Sequence, residues 1–252
     1  ESIIKKKGWK YIEVDTSFKI SQENLSKFKE KLFSEVFGTN SNLNNPYSDE
    51  ILKSSLRSIL RYSSYSLDLL KLITKNFNNN IKFQDYYINL PYFLIHMSGD
   101  TNEIGDLHTD KIKECGESFT SWTSINDFDL NYDALTLYEN TNNQIDLILL
   151  KILSKLKQTK MLKLYFNFFN KSEINISANK YTSLIWSSNL IHIGNLNTGS
   201  SKHFAMTFKI SEFPHLYEKS FKISDISKIN EFSDNIEIKK LANYLFSIDK
   251  LI

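Results

Sequence analysis

The chain has 252 residues, of which 41% are apolar and 24% charged, and its 31 basic and 29 acidic side chains leave a net charge of +2. That balance fits a globular protein with one sizeable core or two small ones, and it excludes a disordered chain or a strongly polyanion-seeking one. Cys115 is the only cysteine, which excludes an internal disulfide, and there is no secretory apolar segment or apolar run of about 18 residues. The sequence therefore reads as cytoplasmic, with no membrane partner. Lysines cluster at 5–7 and 151–160, while Arg57 and Arg61 are the only arginines. The lysine clusters read as solvated faces, so no nucleic-acid partner is expected.

The first strand-like run is WKYIEVDTSFKI at 9–20. SQENLSKFKEKLFSEVF at 21–37 predicts a helix, with Ser21 as N-cap and Leu25, Phe28, Leu32 and Val36 at helical spacing. Residues 48–77 predict one or two more helices, stopped by the asparagine run at 76–80. From about residue 82 the texture changes to short segments rich in aromatic and β-branched residues, separated by Asn, Asp and Gly. KFQDYYINLPYFLIHMSG, SFTSWTSINDF, ALTLYEN, LKLYFNFFN, EINISA, TSLIWSSNLIHIG and KHFAMTFKISEF all read as strands of an antiparallel sandwich or barrel. One interruption, at 143–160, carries Ile145, Leu149, Ile152 and Leu156 at helical spacing and predicts an inserted helix. Two C-terminal segments, at 224–230 and 233–248, add further helix.

The expectation is one domain over 1–252, mainly β with flanking helices, of the jelly-roll type. It comprises a helical region at about 21–80, a β core at about 83–212 with the insertion at about 143–160, and a helical region at 213–252.

Five histidines carry the candidate chemistry. His96 lies in an apolar strand and His215 follows Pro214; both read as structural, with His96 also a candidate for the substrate side of a cavity. His108 and Asp110 form an H-x-D pair in GDLHTDK. In extended backbone, residues i and i+2 face the same way, so an imidazole nitrogen and a carboxylate oxygen can meet at one point. His192 ends an apolar strand and precedes a Gly/Asn/Ser loop. If that strand lies beside His108, the three residues make a two-histidine, one-carboxylate set. Such a set leaves three adjacent positions open on an octahedral metal and suits non-haem Fe(II).

H-x-D followed 84 residues later by H-x-G-x-x-N, His192 to Asn197, resembles the Fe(II)/2-oxoglutarate-dependent dioxygenases, specifically the phytanoyl-CoA dioxygenase-like branch. SWTSINDFDLNYDALTLYE at 121–139 is similar to that branch's strand and acidic turn, with Ala134 where glycine is usual. The likeness covers about residues 83–210. It implies a double-stranded β-helix that oxidises an unactivated C–H bond with Fe(II), 2-oxoglutarate and O₂. It implies His108, Asp110 and His192 as iron ligands, and Thr120 and Trp122 as lining the 2-oxoglutarate pocket.

The family's anchor for the far carboxylate of 2-oxoglutarate is an arginine ten or eleven residues after the distal histidine. Lys202 and His203 stand at those offsets here. Ungapped counting favours His203, and the permanent cation favours Lys202. The substrate is expected to be a small or carrier-linked molecule, as in natural-product or surface-glycan tailoring by analogy. Two other readings stay open: a non-catalytic β-helix binding protein, and a cupin-like metalloenzyme that does not use 2-oxoglutarate.

Overall fold

The computed structural model describes residues 8–13, 85–96, 106–111, 113–124, 133–158, 160–177, 182–195, 203–216 and 218–230, with single helical positions at 57, 61, 67, 70, 71, 74, 75, 236 and 240. The helix predicted at 21–37 lies outside the described residues. So does most of the two C-terminal segments, except that 224–228 falls in a 3₁₀ turn over Ile223–Lys228.

The architecture is mainly β, in two antiparallel sheets. The larger is built from β1 (Trp9–Glu13), β2 (Tyr87–Asn89), β3 (Tyr92–His96), β4 (Ser118–Ser124), β7 (Thr182–Ser187), β9 (His203–Ser211) and β10 (Ser220–Lys222). Its order is β1-β7-β4-β9-β2-β10. β3 also pairs with β9, so β2 and β3 run along one long strand on either side of Leu90 and Pro91. The smaller sheet has the order β6-β5-β8, from β5 (Asp133–Tyr138), β6 (Glu173–Ser177) and β8 (His192–Gly194).

Strand alternation builds the core. Trp122 on β4, Leu184 and Trp186 on β7 and Ala205 on β9 cluster with Leu135, Leu137 and Ile176 from the smaller sheet. The inner faces of both sheets therefore share one apolar layer. The other side of β4 is also buried and carries Phe119 beside two hydroxyl side chains. There Ser121 and Thr123 exchange hydrogen bonds with Ser183 at 3.0 and 2.7 Å.

Two helices link β5 to β6: α1 (Gln144–Lys155) and α2 (Lys160–Phe168). Asn143 caps α1 by accepting from the Asp146 main-chain N–H at 3.0 Å. The Asp146 carboxylate is fully buried and receives Lys171 Nζ at 3.0 Å, which pins the start of α1 to the end of α2. α2 corrects the sequence reading, because LKLYFNFFN is a helix rather than a strand. Leu162 and Phe166 lie four apart and are buried together against Leu150, Tyr138, Leu107 and Ile191. No helix among the described residues is long and apolar enough to cross a membrane.

Candidate metal centre

Leu107 and Ile191 are buried in the cluster behind α1 and α2, and each immediately precedes a histidine. His108 and His192 face each other in an isolated antiparallel bridge, with main-chain N–H to O distances of 3.0 Å in both directions. Their ring centroids are 4.3 Å apart. β8 holds His192 on the smaller sheet, opposite Leu137. Asp110 belongs to the other side: Thr120 Oγ1 on β4 donates to its Oδ2 at 2.8 Å, and Lys209 Nζ on β9 donates to its main-chain carbonyl at 3.0 Å. Thr120 and Lys209 sit directly opposite each other in the β4–β9 register. The site is thus closed across the gap between the sheets.

The three residues offer one ligand atom each, all within 4.8 Å of one another. Nε2 of His192 lies 3.5 Å from Asp110 Oδ2. Both imidazoles are oriented by the carbonyl two residues earlier: His108 Nδ1 meets Asp106 O at 2.8 Å, and His192 Nδ1 meets Leu190 O at 3.0 Å. A carbonyl only accepts, so each Nδ1 carries the proton and each Nε2 keeps its lone pair. Two aimed nitrogens and one carboxylate are a donor set that could hold a divalent metal ion.

Electrostatics prepares the same set. Burial drives the His192 pKa down to about 4, outweighing the pull of Asp110, so the ring is neutral near pH 7. Burial raises the Asp110 carboxyl, but His192, Lys209 and the Thr120 hydroxyl outweigh it and hold the group below its ordinary value. Since His192 is uncharged at neutral pH, Lys209 and Thr120 keep the carboxylate ionised there. Replacing Thr120 by Val should therefore weaken metal binding roughly 10- to 100-fold, as loss of an outer hydrogen-bond partner does, while Lys209→Met, which removes a main-chain contact and a long ion pair, should change it less. Calorimetric titration with Fe(II) or Ni(II) checks this, and unchanged affinity in both variants would show that the aspartate needs no support.

The triad lines a cavity of about 420 Å³. Thr120 and Trp122 line it too, although the Thr120 hydroxyl is engaged with Asp110. Trp186 lines it and packs edge-on to His192 at 5.2 Å, with its buried Nε1 meeting no hydrogen-bond partner among the described residues. Gly194 borders the cavity at a point where an added Cβ would meet no atom within 4 Å.

Lys202 lies outside the described residues. His203 opens β9 with its backbone opposite His96, and the side chains of this pair also lie outside what the structure describes. Sequence reasoning missed Lys209, Asn89 and Glu218 as cavity residues and gave His215 a structural role, yet all four border the space. Only the β9 register and the return of the chain after Pro214 bring them there, so no local pattern marks them.

No family model matches the chain, and no curated protein is similar to it at the sequence level. Solved structures do match in shape. A nickel complex of ThoJ, described as a non-haem monooxygenase, superposes with a TM-score of 0.50 at 9% identity, covering 99% of this chain and 95% of the other. HygX from Streptomyces hygroscopicus, with nickel and 2-oxoglutarate bound, gives 0.48 at 10% identity over 83% of this chain and 85% of its own. SnoK, a non-haem α-ketoglutarate-dependent carbocyclase from nogalamycin biosynthesis, gives 0.47 at 10% identity over 92% and 90%. The likeness to ThoJ extends over nearly the whole of both chains, and what the two share is the fold.

Proposed function

We propose that the protein is an Fe(II)- and 2-oxoglutarate-dependent oxygenase of the phytanoyl-CoA dioxygenase-like branch, with a double-stranded β-helix, that hydroxylates a small or carrier-linked molecule. One observation carries this reading: His108, Asp110 and His192 each offer one ligand atom, all within 4.8 Å of one another, at the wall of one cavity. Three protein ligands leave room on the metal for a bidentate 2-oxo acid and O₂, and the bound iron would supply O₂ activation coupled to decarboxylation of that acid.

The chain's own residues do the positioning. Asp106 and Leu190 carbonyls hold the two imidazoles in one tautomer, Thr120 and Lys209 hold Asp110, and Trp122, Leu135 and Trp186 give the cavity apolar walls. Apolar walls exclude water from a site whose chemistry would otherwise be diverted. The far carboxylate of 2-oxoglutarate goes to Lys202 or His203.

Purified protein given Fe(II), ascorbate and 2-oxoglutarate should form succinate without added substrate, and His108→Ala should not. Anaerobic addition of 2-oxoglutarate to the Fe(II) protein should also produce a visible metal-to-ligand charge-transfer band. With Lys202→Ala, if Lys202 is the anchor, the 2-oxoglutarate needed for half of that band should rise roughly ten- to a hundredfold, from a charge-assisted bond of about 1.5–3 kcal/mol. His203→Ala should have that effect instead if the anchor is His203.

A metalloenzyme of the same fold that does not use 2-oxoglutarate is the second reading. It is favoured by Lys209, a cation that borders the cavity but is already committed to the Asp110 carbonyl. An Fe(II) protein that gave neither band nor succinate would support it.

A further inference from the structure

The helix pair between β5 and β6 carries a surface that the proposed reaction does not use. On α1 and its C-cap, Ile145, Ile148, Ile152 and Leu156 are all exposed, and their spacing of three, four and four residues makes one stripe along the helix. On α2, Met161, Leu164 and Phe168 repeat the pattern, with Leu164 69% and Phe168 80% exposed. With 3.6 residues per turn, these three lie roughly opposite the buried Leu162 and Phe166, so the apolar stripe points away from the core.

The charge on this segment is one-sided. Residues 143–171 contain six lysines and a single acid, Asp146, and that acid is buried against Lys171. Lys151, Lys155, Lys157 and Lys163 are exposed among the apolar stripes. The Asp146–Lys171 ion pair ties the first turn of α1 to the segment just beyond α2, and Leu150 of α1 packs in one buried cluster with Leu162 and Phe166 of α2, so the face is a built feature of the fold.

We propose that this face of α1 and α2 docks on a bilayer surface rich in anionic lipid. Charge complementarity selects this occupant. An apolar surface flanked by lysines, in a segment whose single acid is buried, matches the interface of acyl chains and negative headgroups, with lysine stems lying along the apolar side chains. A second copy of this chain would instead bring like-charged lysines together. Read for spanning segments, the sequence points to no membrane partner, but a helix pair that lies on a bilayer carries a different pattern from one that crosses it.

The test is co-sedimentation of the full chain with vesicles of phosphatidylcholine alone and of phosphatidylcholine with about one third phosphatidylglycerol. The protein should sediment with the anionic vesicles, less so as salt rises, and weakly with the neutral ones. The double variants Leu164→Ser/Phe168→Ser and Lys155→Glu/Lys163→Glu should each lower the partition coefficient at least about tenfold. All four positions are exposed, so thermal unfolding should be unchanged in both variants. Equal binding to the two vesicle types, no binding to either, or undiminished binding by the Leu164→Ser/Phe168→Ser variant would overturn the proposal. A dimer in solution that this variant dissociates would also overturn it, by assigning the face to a second copy.

Discussion

Asp110→Asn should abolish tight metal binding while leaving the apo fold in place. The substitution keeps size and shape, and the Thr120 hydroxyl can still donate to the amide oxygen that replaces Oδ2. What disappears is the one negative charge among the three ligands. Loss of an outer-shell partner costs roughly 10- to 100-fold in metal affinity, so loss of this ligand charge should exceed about a hundredfold. The readout is thermal unfolding with and without Ni(II) or Fe(II). A metal present at about a hundred times its Kd stabilises the wild type by about 2.7 kcal/mol, and the variant should show almost none of that shift. Its apo stability should differ little, because the ion pair that is lost, to Lys209 Nζ at 3.8 Å, is long and partly solvated. A variant that kept the full metal-induced shift would mean that the metal sits elsewhere.

The clustering of His108, Asp110 and His192, a set that could hold a metal, was legible in part because its geometry is local where it needs to be. His108 and Asp110 are two apart, and extended backbone is enough to aim both at one place. His192 reads in the sequence as the end of an apolar strand, but a turn at 188–190 ends β7 and His192 instead opens β8 on the smaller sheet, where a backbone bridge sets it against His108. The support for Asp110 was not legible. Thr120 and Lys209 meet it only because β4 and β9 pair in one particular register, and no spacing within either strand announces that. The buried Asp146–Lys171 pair was equally hidden, although Asn143 three residues before Asp146 is a capping pattern that marks the helix start. The strands of the core were read from β-branched and aromatic content. That same rule failed at LKLYFNFFN, where aromatic content masked a helical burial pattern.

Two phenylalanines in that misread segment give the sharpest test of the fold. Phe166→Ala should destabilise the protein by about 3–5 kcal/mol, the usual cost of emptying a buried aromatic site. Phe168→Ala should change stability by no more than about 0.5 kcal/mol. In a strand, positions 166 and 168 would share a face and the two substitutions would cost similar amounts. In α2 they lie on nearly opposite sides: Phe166 is 1% exposed with its ring 4.9 Å from that of Tyr138, while Phe168 is 80% exposed. The effect of Phe166→Ala should reach the metal centre as well. Phe166 shares its cluster with Leu107 and Ile191, which precede His108 and His192 and sit behind the backbone bridge joining the two ligands. Loosening that packing should weaken metal binding along with stability, whereas Phe168→Ala should leave both intact. Urea unfolding and metal titration of the two variants side by side make the measurement. Equal losses at 166 and 168 would return the segment to a strand and remove the helix pair from behind the site.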